Sequence, residues 1–168
     1  MSGEVGSTSP VLATRFATTA QQHLCILKRY KRIAMVGLSG NPYRPSHFAA
    51  LYMKAAGYRI FPVNPREREI LGSRSYATLA EVPQPVEIVD IFRESSAVPG
   101  IVEEAIAAGA KVVWMQLGVI HEQAAARALD AGLEVVMDRC VKIEHARFFG
   151  SLSTLGLNAG VLSARKRN

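Results

Sequence analysis

Five short apolar runs alternate along the chain with stretches whose apolar residues recur at helical spacing. Ile33–Val36, Tyr58–Val63, Val86–Phe92, Lys111–Gln116 and Leu133–Met137 are continuous, rich in β-branched residues and bounded by Gly, Pro or Asn, which predicts strands buried on both faces. Between them, Pro45 opens a helix in which Phe48, Leu51, Tyr52 and Ala55 share a face, and Gly57 closes it. Ser95 or Ser96 caps a second helix over Ala97–Ala108, with Val98, Ile101, Val102, Ala105 and Ile106 as its buried stripe. A third runs from His121 to Ala131. An earlier helix, Arg15–Tyr30, carries Phe16, Ala20, Leu24, Leu27 and Tyr30 on one side. Arg66–Arg74 is polar and turn-rich, and Ser75–Val82 predicts a short extended piece leading into one helical turn.

Strands alternating with helices of ten to twelve residues imply β-α-β crossovers. The expected fold is a single α/β domain: a doubly wound, Rossmann-like, mostly parallel sheet of about five strands with helices on both faces. The expected boundaries are a disordered segment over 1–14, the domain over 15–150 and an irregular basic tail over 151–168. Residues 138–142 and a short segment beyond them are expected to fold back over the sheet.

Composition fits this picture, since 168 residues with 49% hydrophobic and 20% charged content supply a core for one domain. No apolar run approaches the roughly 18 residues of a membrane span, and the N-terminus lacks a secretory apolar segment, so a cytoplasmic protein without membrane association is expected. The formal charge is +6, but residues 1–30 hold +2 and Arg165, Lys166 and Arg167 hold +3, leaving +1 for the remainder. That distribution argues against nucleic-acid binding and for a solvated tail. Cys25 and Cys140 form no Cys-x-x-Cys pair, and His23, His47, His121 and His145 show no metal-ligand spacing with them, so no metal site is expected.

In a doubly wound sheet, ligands sit beyond the carboxyl ends of the strands. After the first strand, Ser39, Gly40, Asn41, Pro42 and Arg44 lie between Gly37 and the helix begun by Pro45, a strand–loop–helix unit that suits phosphate. Only two glycines are present, so the same stretch equally fits an ordinary strand-to-helix turn. The later ends bring Asn64, Pro65 and Arg66, then Phe92 and Arg93, then Gln116 and Leu117, then Arg139 and Lys142. Cations at four of five ends favour a polyanion. Arg66, at the position where NAD-binding domains place a carboxylate, favours a phosphorylated ribose, as in NADP or coenzyme A; solvation beside Glu67 and Glu69 is the alternative.

Val36-Gly37-Leu38-Ser39, Pro42-x-Arg44-Pro45-Ser46, Pro62-Val63-Asn64-Pro65, Val89-Asp90-Ile91-Phe92-Arg93, Gly109-Ala110-Lys111-x-x-Trp114-x-Gln116, and Asp138-Arg139-Cys140 with Ile143-Glu144-His145 occur in that order. Together, from about Leu24 to Gly150, they resemble the small stand-alone CoA-binding proteins, similar in fold to the CoA-binding domain of the succinyl-CoA synthetase α-subunit. The resemblance implies that Ser39, Gly40, Asn41 and Pro42 cradle the CoA phosphates, Gly40 and Asn41 through backbone alone. It further implies that Arg66 meets the ribose phosphate and that residues after the third and fourth strands line the pantetheine path. His121 stands where that family suggests Asn, a change expected to affect only helix capping. The resemblance supplies no reaction, because the phosphorylated His of the synthetase belongs to a second domain.

No catalytic constellation emerges. Gly37-Leu38-Ser39-Gly40-Asn41 misses the Gly-x-Ser-x-Gly elbow by one residue, so Ser39 reads as a phosphate ligand. His47, in the first turn after the loop, is within reach of a ligand but reads first as a capping or packing residue, and Glu144–His145 as a surface or interface pair. Cys140 reads as an inert core cysteine, the alternative being that Arg139 and Lys142 favour a thiolate able to form a mixed disulfide with CoA. The expected function is CoA or acyl-CoA binding as a carrier, sensor or regulatory protein, with a homodimer or partner enzyme possible and no self-sufficient activity. An NADP-dependent oxidoreductase or NADP-binding regulator is the alternative.

Overall fold

The computed structural model describes residues 15–149. The proposed end segments, 1–14 and 151–168, lie outside the described residues. Among the described residues, seven strands and five helices follow in order. They are α1 (Ala20–Arg29), β1 (Arg32–Val36), α2 (Pro45–Ala55), β2 (Arg59–Val63), β3 (Glu69–Ile70), β4 (Ser73–Arg74), β5 (Ile88–Ile91), α3 (Val98–Ala107), β6 (Val112–Met115), α4 (Glu122–Asp130), β7 (Glu134–Val136) and α5 (Val141–Phe149). Single 3₁₀ turns occupy Leu79–Glu81 and Ser95–Ala97.

The main sheet has the order β2-β1-β5-β6-β7, and every pairing in it is parallel. The expected five-stranded, doubly wound α/β domain is therefore what the chain forms. Alternate strand residues bury on opposite faces. Ala34, Val36, Phe61, Val63, Val89, Ile91, Val113, Met115 and Val135 share one core with Val98, Ile101 and Val102 of α3 and Ala124, Ala125 and Ala128 of α4. Ile33, Met35, Ile60, Ile88, Val112, Trp114 and Val136 share the other with Ile26 and Leu27 of α1, Ala49, Ala50 and Met53 of α2, and Val141 of α5. Burial on both sides is why the strands carry no polar alternation.

Three local expectations need correction. The first helix is shorter than Arg15–Tyr30, because Thr19 and Gln22 make a capping box: Thr19 Oγ1 accepts from Gln22 N–H, and Gln22 Oε1 accepts from Thr19 N–H. Phe16 precedes the helix and bridges to Val135 in parallel. In α2 the buried residues are Ser46, Ala49, Ala50 and Met53, whereas Phe48 and Leu51 are half exposed, at 52% and 50%. Small side chains let that helix approach the sheet closely, so the bulkier pair faces outward. Glu69–Arg74 is an antiparallel β3–β4 hairpin where only turns were expected. The segment after residue 140 does fold back on the sheet, as a regular helix, α5, whose Val141 joins the second core.

That helix also overturns the surface reading of Glu144 and His145, since both are buried. Glu144 accepts from His23 Nδ1 at 2.9 Å and from Arg147 Nε at 3.3 Å. His145 packs against the rings of Tyr52, Tyr58 and Phe149, and its Nδ1 lies 3.0 Å from the Tyr52 hydroxyl. No helix among the described residues is long and apolar enough to cross a membrane.

Candidate functional site

The strand order reverses between β1 and β5, since β1 leads outward to β2 while β5 leads to β6 and β7 on the other side. The chain leaving each of these two strands therefore turns away from the other, and a crevice opens between them at the carboxyl ends. It has a volume of about 820 Å³, within the usual range for small-molecule sites.

Its base is set by Gly37. The Gly37 N–H donates to Val63 O at 2.9 Å, and Phe92 N–H donates to Val36 O at 2.9 Å, so β2, β1 and β5 converge there. Gly37 has φ +84, and a Cβ on it would lie 2.8 Å from Arg93 Cδ and 2.9 Å from Phe92 O. Only glycine combines that backbone conformation with so close an approach.

The β1–α2 loop folds on its own side chains. Ser39 N–H donates to Ser46 Oγ at 3.1 Å, Asn41 N–H to Ser39 Oγ at 3.1 Å and Tyr43 N–H to Asn41 Oδ1 at 2.9 Å. His47 Nδ1 lies 3.1 Å from Ser39 O, a packing role as expected. The Gly40 N–H donates to the Glu67 carboxylate, at 2.9 and 3.1 Å to its two oxygens. Asn64 joins the same loop to the end of β2, its Nδ2 donating to Leu38 O at 3.0 Å while its Oδ1 accepts from Arg66 N–H at 2.9 Å.

Of the twelve candidate residues, Ser39, Arg44, Asn64, Pro65, Arg66, Phe92, Arg93, Gln116 and Leu117 line the crevice together. Gly40, Asn41 and Pro42 do not; the loop amides that the sequence suggests for phosphate are turned to Glu67 and Ser39. Arg139 and Lys142 also stand outside the lining, and Arg139 Nη1 donates to Asp138 O. Arg66 is exposed and in no ion pair among the described residues, whereas Arg93 holds Glu94 at 2.9 Å. The Arg93–Glu94 hydrogen bond raises the guanidinium and lowers the carboxyl.

Sequence reasoning missed Ile101 and Glu104, which enter the lining from α3, and Val119, held by the loop after β6. In that loop Gly118 N–H donates to Asp138 Oδ1 at 2.8 Å and Val119 N–H to Gln116 O at 2.8 Å. A helix read only for its apolar stripe gives no sign that Glu104 reaches a strand end. Beneath the crevice, Asp90 of β5 is fully buried, and Gln116 Nε2 lies 2.6 Å from its Oδ1. Burial pushes the Asp90 carboxyl up to about 8, against hydrogen bonds from Gln116 and Ile91 that favour ionisation.

At Cys140 the balance runs against a thiolate. Burial raises its thiol, and the nearby Asp90 adds to that, outweighing Lys142 and two backbone hydrogen bonds. No group of three or more His, Cys, Asp or Glu among the described residues is arranged to hold a metal. A second cleft, of about 500 Å³, lies at the outer edge of β2, between Lys54, Arg59 and Arg74.

The family model described as "CoA binding domain" matches residues 31–146. The chain is 45% identical over 121 residues to the uncharacterized protein YneT of Bacillus subtilis (strain 168), covering 72% of this chain and 90% of that protein. Among solved structures, a hypothetical protein from Pyrococcus horikoshii OT3 is 37% identical, with a TM-score of 0.77 over 89% of this chain and 100% of its own. A Thermus thermophilus protein, cell-free ID.343, is 36% identical, with a TM-score of 0.75 over 79% of this chain and all of its own, 100%. The sheet order, the crevice at its switch point and these matches agree, and the chain belongs to the CoA-binding domain family.

Proposed function

We propose that the crevice between β1 and β5 binds coenzyme A or an acyl-CoA, and that the protein acts as a carrier, sensor or regulatory partner in the cytoplasm. The observation that carries this reading is the convergence of Arg44, Arg66 and Arg93 on one 820 Å³ crevice at the switch point. Three guanidiniums suit a ligand with several phosphates, and the exposed, unpaired Arg66 suits a phosphate on the ribose. The apolar wall formed by Phe92, Ile101, Leu117 and Val119 suits the pantetheine arm or an acyl chain.

The β1–α2 loop contributes through Ser39, Arg44 and the start of α2, where Pro45 and Ser46 face the crevice. Phosphate there gains from the positive end of an eleven-residue helix. The Gly40 N–H is held by Glu67 and the Asn41 N–H by Ser39.

Thermal unfolding with CoA, acetyl-CoA, NADPH and NAD in turn tests the proposal. CoA and acetyl-CoA are expected to raise the midpoint, and NADPH and NAD to leave it unchanged. Stabilisation by NADPH without stabilisation by CoA contradicts the reading.

A further inference from the structure

Among the described residues, Asp90 Oδ2 is the one buried side-chain polar atom with no hydrogen-bond partner. The other carboxyl oxygen of Asp90 meets Gln116, which lines the crevice. We propose that Asp90 is a positioning residue: from beneath the crevice it sets the orientation of the Gln116 amide, and so decides whether the wall offers a bound ligand an N–H donor or a carbonyl acceptor. This inference rests on the reading of the crevice as the ligand site.

The geometry supplies the argument. A primary amide has a donor end and an acceptor end, and only one of them can face Asp90. An ionised Asp90 accepts from Gln116 Nε2, which leaves Oε1 for the crevice. A protonated Asp90 donates its O–H to Oε1, and the amide turns its NH₂ outward. In the structure Gln116 Nε2 faces Asp90 Oδ1 at 2.6 Å, the arrangement that an ionised carboxylate takes. The carboxyl is pushed up to about 8, so the amide seen here is the arrangement of the higher pH range, and protonation of Asp90 below that value turns it over.

The surroundings isolate this pair. In the sheet Asp90 is flanked by Met35 of β1 and Trp114 of β6, neither of which titrates. Cys140, before α5, is the titratable group coupled to it, and its thiol is itself raised by burial. His23 of α1 packs on Trp114 but directs its nitrogens to Glu144 and Ala17 O. Arg93, two residues beyond β5, is engaged by Glu94.

The test uses the full chain and a CoA analogue lacking the thiol, so that the ligand does not titrate between pH 7 and 9.5. Isothermal titration across that range is expected to show about a fivefold change in affinity for the wild type, the size of one exchanged hydrogen bond. Asp90→Asn, which cannot ionise, is expected to change less than about twofold. In the ligand-free wild type, the Gln116 side-chain amide resonances are expected to move with a midpoint near 8. Identical profiles for wild type and Asp90→Asn, or Gln116 signals that ignore pH, overturn the inference. If the analogue fails to bind at any pH, the functional reading falls, while the Gln116 titration still decides the switch.

Discussion

The carboxylate of Glu67 sits on the backbone N–H of Gly40, with both oxygens within 3.1 Å of it, and ties the loop after β1 to the loop after β2. A Cβ on Gly40 would run into that carboxylate. The two loops that carry Arg44 and Arg66 are thus held together by one ion-to-amide contact and by Asn64 Nδ2 on Leu38 O.

Glu67→Ala and Gly40→Ala are expected to remove the same contact. Each should cost about 1 kcal/mol, and the double variant little more than either alone. Urea unfolding of the three variants measures this; fully additive losses contradict a shared contact.

Gly37→Ala is expected to be far more costly. It combines a positive φ with a Cβ 2.8 Å from Arg93 and 2.9 Å from the Phe92 carbonyl. A loss of about 2–3 kcal/mol follows, with weaker CoA binding because the end of β5 is displaced. Thermal unfolding and a CoA titration read the two effects.

Much of this was legible in the sequence, and the failures share a cause. Strand runs such as Ile33–Val36 declare themselves because burial on both faces leaves no room for polar residues. His121 was readable as a cap, and its Nδ1 does accept from Ala124 N–H at 3.1 Å. The inward face of α2 was not readable, since Ala49 and Ala50 carry a weaker hydrophobic signal than Phe48 and Leu51. Helix α5 hides its burial under polar letters: Glu144 and Arg147 are buried in a network completed by His23, 121 residues from Glu144, and His145 is buried against Tyr52, Tyr58 and Phe149. The same limit applies to the site. Strand ends mark which residues can reach the crevice, but only tertiary contacts reveal that the Gly40 amide is already taken by Glu67.

Arg66→Ala is expected to weaken CoA about tenfold and dephospho-CoA much less, as removal of one charge-assisted contact requires. Calorimetric titration with both ligands checks it, and equal losses contradict the assignment of Arg66 to a ribose phosphate.

Acid stability should depend on Glu144. Burial alone would raise its carboxyl, but His23 and Arg147 outweigh that and hold it below its ordinary 4.5. Its contribution is therefore complete above pH 4.5 and is lost as pH falls through the depressed value. Glu144→Gln should lower the urea midpoint at pH 7, with the gap to wild type closing as pH falls below 4.5. A gap independent of pH contradicts this.

The exposed Cys25 and the partly covered Cys140 should differ in reactivity. Maleimide at pH 7 is expected to modify Cys25 first, with Cys140 lagging because its raised thiol is mostly un-ionised. Incubation with CoA disulfide should accordingly leave no adduct on Cys140. Peptide mass mapping reads both, and a Cys140–CoA adduct on the folded protein contradicts the inert assignment.

The most direct measurement is a titration of the isotopically labelled protein with CoA, followed residue by residue in its amide spectra. Perturbations are expected at Gly37–Ser46, Asn64–Arg66, Phe92–Glu94 and Gln116–Val119, with the β2 edge around Arg59 and Arg74 unmoved. An unchanged spectrum at millimolar CoA, or changes centred on Arg59 and Arg74, would contradict binding at the switch point.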